Sequence, residues 1–436
     1  MEAFLISAWV IRLLKPEWVL TYYIPGLGPL KSIASILLYA LILYAILAYT
    51  KHLKFDPAFG LYICAILCST VLAQFTGLAR KGLESVVEHY FFYAVNLAAI
   101  SALAKDTELI DRILKVYLGA FAFYGISGIV FKGLVPFHVL LNNEDAFGPF
   151  MALAMPFALF LAFREKRVNY WTLGVAAVCS VGLVASFARG AFLSFCCGAF
   201  FVWLRSSNKG SMTLAFVLGA ILFVGATSVL FDPGAYWDEM STINQSLHDE
   251  KQEGRHFLRK KALELYFDNL VFGVGPRNFG PSLVTVTSES EARARGVHSA
   301  HYWNRVTHSV YFQILAELGT VGAVTYMLVL IWFWRKCRHL QKACKPYLGS
   351  ADQKVHEGRV STARRIYYTA LALESAMVSF LISGLFYDLL FYHWFVDILI
   401  LNSMLYLFAQ NHGYLSLPSR EPMSQFYPTR AQSLTV

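Results

Sequence analysis

Long apolar runs separated by short polar connections dominate this chain. Runs near residues 30–49, 57–77, 85–103, 112–132, 147–163, 168–186, 190–205 and 212–231 precede one long polar stretch. Runs near 318–335, 366–386 and 389–409 follow it. Many are about 18–21 residues long, enough for a helix to cross a hydrocarbon core of about 30 Å. Residues 3–24 are apolar but interrupted by Arg12, Lys15, Pro16 and Glu17, which suits either a short span or an interfacial segment. With that segment counted, the pattern predicts about twelve helices in an all-α polytopic membrane protein. A closed barrel would need short alternating segments, which this sequence lacks.

The pattern divides the chain into four regions: a first set of transmembrane helices over 1–231, an outer loop domain over 232–305, a second set over 306–409, and a polar cytoplasmic tail over 410–436. No fixed-period repeat and no duplicated half is visible. Composition agrees with a membrane protein: only 15% of residues are charged, against about 25% in soluble domains.

The net charge of +9 follows from basic residues that hold connections on the cytoplasmic side, so no nucleic-acid partner is expected. The connection after Trp334 carries Arg335, Lys336, Arg338, Lys342, Lys345, Lys354, Arg359, Arg364 and Arg365, and is therefore assigned to the inside. Alternating backwards puts Lys209, the 164–167 turn, Lys105, Lys51 and Lys54 inside as well, and 232–305 outside. Arg80, Lys81 and Arg189 then fall outside, against the rule, and become candidate ligands. Five of the seven cysteines lie in apolar spans and two in the basic connection, so no disulfide framework is expected. No small-residue cleavage site follows a short apolar core near the N-terminus, so no removable signal peptide is expected.

Candidate chemistry concentrates on the outer side. In THSVYFQILAELGTVG (307–322), Thr307 is placed to cap a helix whose first turn carries His308 above Phe312 and Leu315. The positive helix end favours neutral imidazole there, which can accept a proton. Arg189, in SFARGAF, either snorkels to headgroups or presents a forked donor to phosphate. RHFLRKKALELYFDNL (255–270) reads as an amphipathic helix, with Arg255 and Arg259 one turn apart. Those two suit a diphosphate, and the alternative is a helix resting on anionic lipid. GVGPRNF (273–279) marks a tight turn carrying Arg277, with no strand–turn–helix context for a nucleotide loop. His298 and His301 match no common metal-ligand spacing. Glu144 and Asp145 are a reserve base, or otherwise a solvated turn. Glu88, Glu374, His393 and Asp397 fall in apolar runs, as functional groups or as partners paired within the bundle.

SFARGAF, GVGPRNF and THSVYFQILAELGTVG, in this order around a long outer loop, resemble the O-antigen ligase/polymerase superfamily. HSVYFQILAELGTVG together with NNEDAFGPFMALAMP (142–156) is also similar to its exosortase-associated O-glycosylation ligase branch. The resemblance implies a GT-C-like glycosyltransferase architecture, with the outer loop roofing a cavity in the inner membrane's periplasmic face. It implies transfer of a glycan from an undecaprenyl-diphosphate carrier to lipid A-core, with inversion, no cofactor and no metal. His308 would assist the acceptor hydroxyl. Arg189 and Arg255 would hold the diphosphate, with Arg259, Arg277 and Arg80 as further candidates. The chain departs from the family pattern at Ala188, where Ser is frequent, at Arg259, where an aromatic is frequent, and at Arg277, where Gly is frequent. A polymerase or a protein O-oligosaccharyltransferase shares the donor chemistry and differs in acceptor. A transporter instead predicts broken helices around a midplane site.

Overall fold

The computed structural model describes residues 2–24, 26–48, 56–72, 92–98, 107–138, 140–206, 250–349 and 357–415, with 209–210, 213–214, 216–217, 219, 221 and 225. These residues are helices and turns, and no strand occurs among them. Four helices are long and apolar enough to cross a membrane: Glu108–Val130, Glu144–Ala162, Val310–Leu348 and Gly358–Ser383. Shorter apolar helices include Pro57–Val71 and Tyr170–Ala185.

The helix Glu144–Ala162 is the axis of the bundle. It is apolar on all sides and buried from Ala146 onward, as expected of a helix surrounded by others. Helices Tyr170–Ala185, Arg189–Arg205 and Glu357–Ser383 pack around it. Small residues set the approach: a Cβ on Gly198 would stand 2.2 Å from Ser379 Oγ and 3.0 Å from Pro156 Cγ. A Cβ on Gly148 would stand 2.7 Å from the Ala188 Cβ and 2.9 Å from the Ala191 Cβ. Three helices therefore meet where no larger side chain fits.

Polar groups gather at the two ends of this axis. Beyond its C-terminus, Asp111 pairs with Arg164 and with Arg365 (3.1 Å), Arg365 reaches Glu165 (2.8 Å), and Glu374 lies between Arg205 (3.6 Å) and Arg338 (3.3 Å). At the other end, its first turn carries Glu144 and Asp145. The 19 residues between separate the ends by about 28 Å at 1.5 Å per residue, close to a hydrocarbon thickness.

Two expectations change. Arg335–Lys345 lie on a helix, not in a loop, because the helix beginning at Val310 runs to Gly349. Cys337, Leu340 and Cys344 extend its apolar stripe and are fully buried. Residues 3–24 form two helices, Glu2–Leu14 and Pro16–Tyr23, broken at Lys15, whose φ of 42° is left-handed. Glu88 and the expected span at 212–231 lie wholly or mostly outside the described residues.

The charges within apolar runs pair inside the bundle. Arg12 Nε donates to Asp397 at 3.0 Å, with both side chains at most 1% exposed, and His393 Nε2 stands 3.9 Å from the same carboxylate. Arg12 also lies over the Phe92 ring at 4.6 Å, and Trp9 donates to Asn96 at 2.7 Å. Removing one member of such a pair costs roughly 3–5 kcal/mol, because the other charge stays buried. Arg12→Ala should therefore lower the thermal unfolding midpoint in detergent far more than the double change Arg12→Ala/Asp397→Asn. Equal losses would show that the pair is not what anchors the first helix.

Candidate active site

The site is built on a broken helix. Within Val310–Gly349, Gly319 takes φ 64° and ψ −162°, so the helix stops and restarts there. The break frees carbonyls before it and N–H groups after it, and residues 270–275 take both. Ala316 and Glu317 carbonyls accept the N–H groups of Val274 (2.9 Å) and Gly275 (3.0 Å). Thr320 and Val321 N–H donate to the carbonyls of Leu270 (2.8 Å) and Val271 (3.1 Å). Ser69 Oγ adds a bond to the Glu317 carbonyl at 2.8 Å. A Cβ on Gly319 would stand 2.5 Å from Val271 O, and one on Gly273 would stand 2.4 Å from the Glu317 carbonyl carbon. GVGPRNF and ELGTVG are thus two halves of one interlock. Broken helices also belong to the transporter reading, but here these freed backbone groups are taken by protein, leaving none of them for a solute.

Glu317 carries the interlock to the site. Its carboxylate is 2% exposed and accepts N–H from Arg277 (3.0 Å) and from Phe279 (3.2 Å), the first residue of helix Phe279–Val286. Arg277 is thereby held at φ 60°, a left-handed conformation uncommon for a long side chain. Its guanidinium lies 5.3 Å from the Phe391 ring.

His308 lies outside the helix that its sequence predicts. It takes φ 49°, and the helix begins at Val310. Thr307 Oγ accepts the Ser309 N–H at 3.3 Å, the Ser309 carbonyl accepts the Gln313 N–H at 3.0 Å, and Val310 N–H donates to Gly384 O at 2.8 Å. The cap has moved two residues along because this contact with Gly384 sets where the helix enters. His308 is still held below the usual imidazole range, for a different reason. Burial comes first, then Arg255, with Arg259 and Arg305 adding and Asp145 opposing. Desolvation and three guanidinium groups replace the helix dipole as the cause.

The loop 384–392 gathers the arginines. Arg259 donates to Leu385 O (2.9 Å) and to His308 O (3.4 Å), while its Nε is buried with no partner among the described residues. Arg255 lies close enough to depress the Arg259 pKa. Among the described residues, no ion pair neutralises either one. Helix Arg189–Arg205 starts against the same loop: a Cβ on Gly190 would stand 2.8 Å from Phe386 Cβ. Ala188 supplies no side-chain cap there, and the Tyr387 hydroxyl stands beside the Ala191 backbone. Phe187, at φ 52°, makes the sharp turn into this helix. Arg259, Arg277, the His308 carbonyl and the start of the Arg189 helix therefore lie around 384–392, with Arg255 beside Arg259 and His308. Arg80 lies outside the described residues.

A cavity of about 930 Å³ opens beside His308. Arg255, Phe257 and Leu258 of helix Glu250–Asp268 form one wall, and Arg295, His301 and Arg305 also line the cavity. The wall belongs to a small second core of Phe257, Leu258, Leu265, Val274, Phe279 and Tyr302, so the amphipathic helix buries its apolar side in protein. His298 bonds Glu289 at 2.9 Å, whereas His301 bonds Arg305, so the two histidines serve separate contacts.

Sequence reasoning passed over Asp388, Tyr387 and Tyr392. Burial pushes the Asp388 carboxyl up to about 6, with Asp145 adding and Arg277 opposing. The signal was present: Asp388 stands in the aromatic, apolar run GLFYDLLFYHW, where an isolated charge invites a functional reading. Asp145, held as a reserve, acts electrostatically on His308, Tyr387 and Asp388 alike.

Loss of the Glu317 carboxylate orphans two buried N–H donors, at about 1–3 kcal/mol each. Glu317→Ala should lower the unfolding midpoint clearly and Glu317→Gln less, since the amide keeps one acceptor. An unchanged midpoint in the Ala variant would rule out this capping role.

No curated protein matches the chain. The model of the O-antigen ligase family matches residues 173–327, a stretch that runs from Arg189 through Arg255, Arg277 and His308 to the Gly319 break. Over that stretch the chain is similar to the O-antigen ligase family.

Proposed function

We propose that this protein transfers a glycan from an undecaprenyl-diphosphate carrier to a lipid A-core acceptor on the periplasmic face of the inner membrane. The observation that carries the reading is a neutral imidazole beside guanidinium groups that have no carboxylate partner among the described residues, on the rim of a roofed cavity. The similarity of residues 173–327 to the O-antigen ligase family supports it.

An acceptor hydroxyl oxygen attacks the anomeric carbon from the face opposite the diphosphate. The new C–O bond forms as the bond to the diphosphate oxygen breaks, which inverts the anomeric configuration. The bonding pair leaves with the carrier, where Arg189, Arg255, Arg259 and Arg277 neutralise the developing charge. Fixed guanidinium groups in a partly dry site do this better than water, because they need no reorganisation. Arg80 is a further candidate for the same role. His308 Nδ1 or Nε2 takes the hydroxyl proton as general base. Asp145 favours the imidazolium so formed, since its charge raises the His308 pKa. The arginines also supply the positive charge that a divalent cation provides in other diphosphate chemistry.

His308→Ala should reduce transfer by roughly 10²–10⁴-fold while donor binding persists, measured with reconstituted protein and a lipid-diphosphate glycan. Near-normal turnover would remove His308 as the base. Because its pKa lies below the ordinary 6.5, the imidazole stays neutral as pH falls through 6.5, and turnover should drop only at lower pH. A turnover midpoint above that value would contradict the burial argument. Arg189→Ala or Arg255→Ala should weaken donor binding or turnover, and Lys should restore little because it lacks the fork. Full recovery with Lys would reduce the role to a point charge. The same assay, offered lipid A-core, carrier-linked glycan or protein, reads which acceptor becomes modified.

A further inference from the structure

The basic groups near His308 fall into two sets. Arg259, Arg277 and the start of the Arg189 helix surround the loop 384–392. Arg295 and Arg305 line the cavity with Arg255 and His308 instead. We propose that Arg295 and Arg305, with His301, form a subsite for an acidic group, phosphate or carboxylate, carried by the acceptor glycan. The proposal rests on the transfer reading for the word acceptor, and on the cavity alone for the binding preference.

Three observations carry it. First, the cavity is positively charged beyond what one diphosphate uses. Its lining holds Arg255, Arg295 and Arg305 against one carboxylate, Glu291, which Lys261 already engages at 3.1 Å. Second, both outer arginines are prepared for a ligand. Arg295 lies 4.0 Å from the Phe257 ring centre, which fixes the planar group while leaving its N–H edge free. Arg305 is held by the ring nitrogen of His301, and neither arginine pairs with a carboxylate among the described residues. Third, Arg305 is near enough to depress the His308 pKa, so an acid held there lies close to the proton acceptor. A neutral sugar would leave the like-charged guanidinium groups of the lining without a counter-charge. An acidic one relieves that repulsion and orients the hydroxyl toward His308.

The test uses the full chain in nanodiscs and three trisaccharides of identical linkage: one neutral, one with a phosphomonoester and one with a uronate. Binding is measured by calorimetry without donor. At least one acidic sugar should bind about tenfold more tightly than the neutral one, and added salt should shrink the difference. A preference for one acid alone identifies its source. Arg295→Gln/Arg305→Gln should erase the preference, and Arg295→Lys/Arg305→Lys should keep part of it. Equal affinity for all three sugars in the wild type overturns the subsite, as does a preference that survives the Gln pair. The His308→Ala protein separates the two readings. Normal turnover in it removes the base and leaves the subsite standing, whereas loss of the sugar preference in the wild type removes the subsite and leaves the base.

Discussion

The interruption at Gly319 organises the outer half of this molecule. A continuous helix would satisfy its own backbone and have nothing to offer the segment 270–275. Once broken, it exposes carbonyls on one side and N–H groups on the other, and a short turn with complementary groups locks against both. The close approach needs hydrogen in place of a side chain at Gly273 and at Gly319. From that lock, the Glu317 carboxylate reaches the N–H groups of Arg277 and Phe279 and fixes the next helix. Two sequence motifs more than 30 residues apart are therefore one piece of structure.

The other motifs interlock in a similar way. In NNEDAFGPF, Asn143 caps the axial helix through a bond from the Ala146 N–H at 2.9 Å, and Gly148 lets that helix close on Ala188 and Ala191 of SFARGAF. Tyr387, from the loop 384–392, stands beside the start of the Arg189 helix.

Charge divides the fold by function. At the end holding Arg164, Arg205, Arg338 and Arg365, basic side chains meet carboxylates, and the pairs tie helix to helix. At the end holding Arg255, Arg259 and Arg277, carboxylate partners are missing among the described residues, and Arg259 keeps a buried Nε with nothing to donate to. Crowded like charges raise the free energy of the empty site and are relieved by an anion. The same crowding, with burial, keeps His308 uncharged.

Hydrophobic patterning alone was enough to read the helical, membrane-spanning character of the chain. That character follows from the length and periodicity of apolar runs, which are local properties. Start points and partners were not legible. His308 looked like a first-turn residue because Thr307 is a good cap, yet the Gly384 carbonyl, 76 positions away, decided where the helix begins. Arg335–Lys345 looked like a connection because they are basic, yet burial of Cys337, Leu340 and Cys344 against the bundle kept them helical. Asp388 and Tyr387 gained their surroundings only from the Arg189 helix, Asp145 and Arg277 folding around them. Which backbone groups a helix break frees, and what takes them, is a property of neighbours distant in sequence, and only the tertiary structure brings those neighbours together.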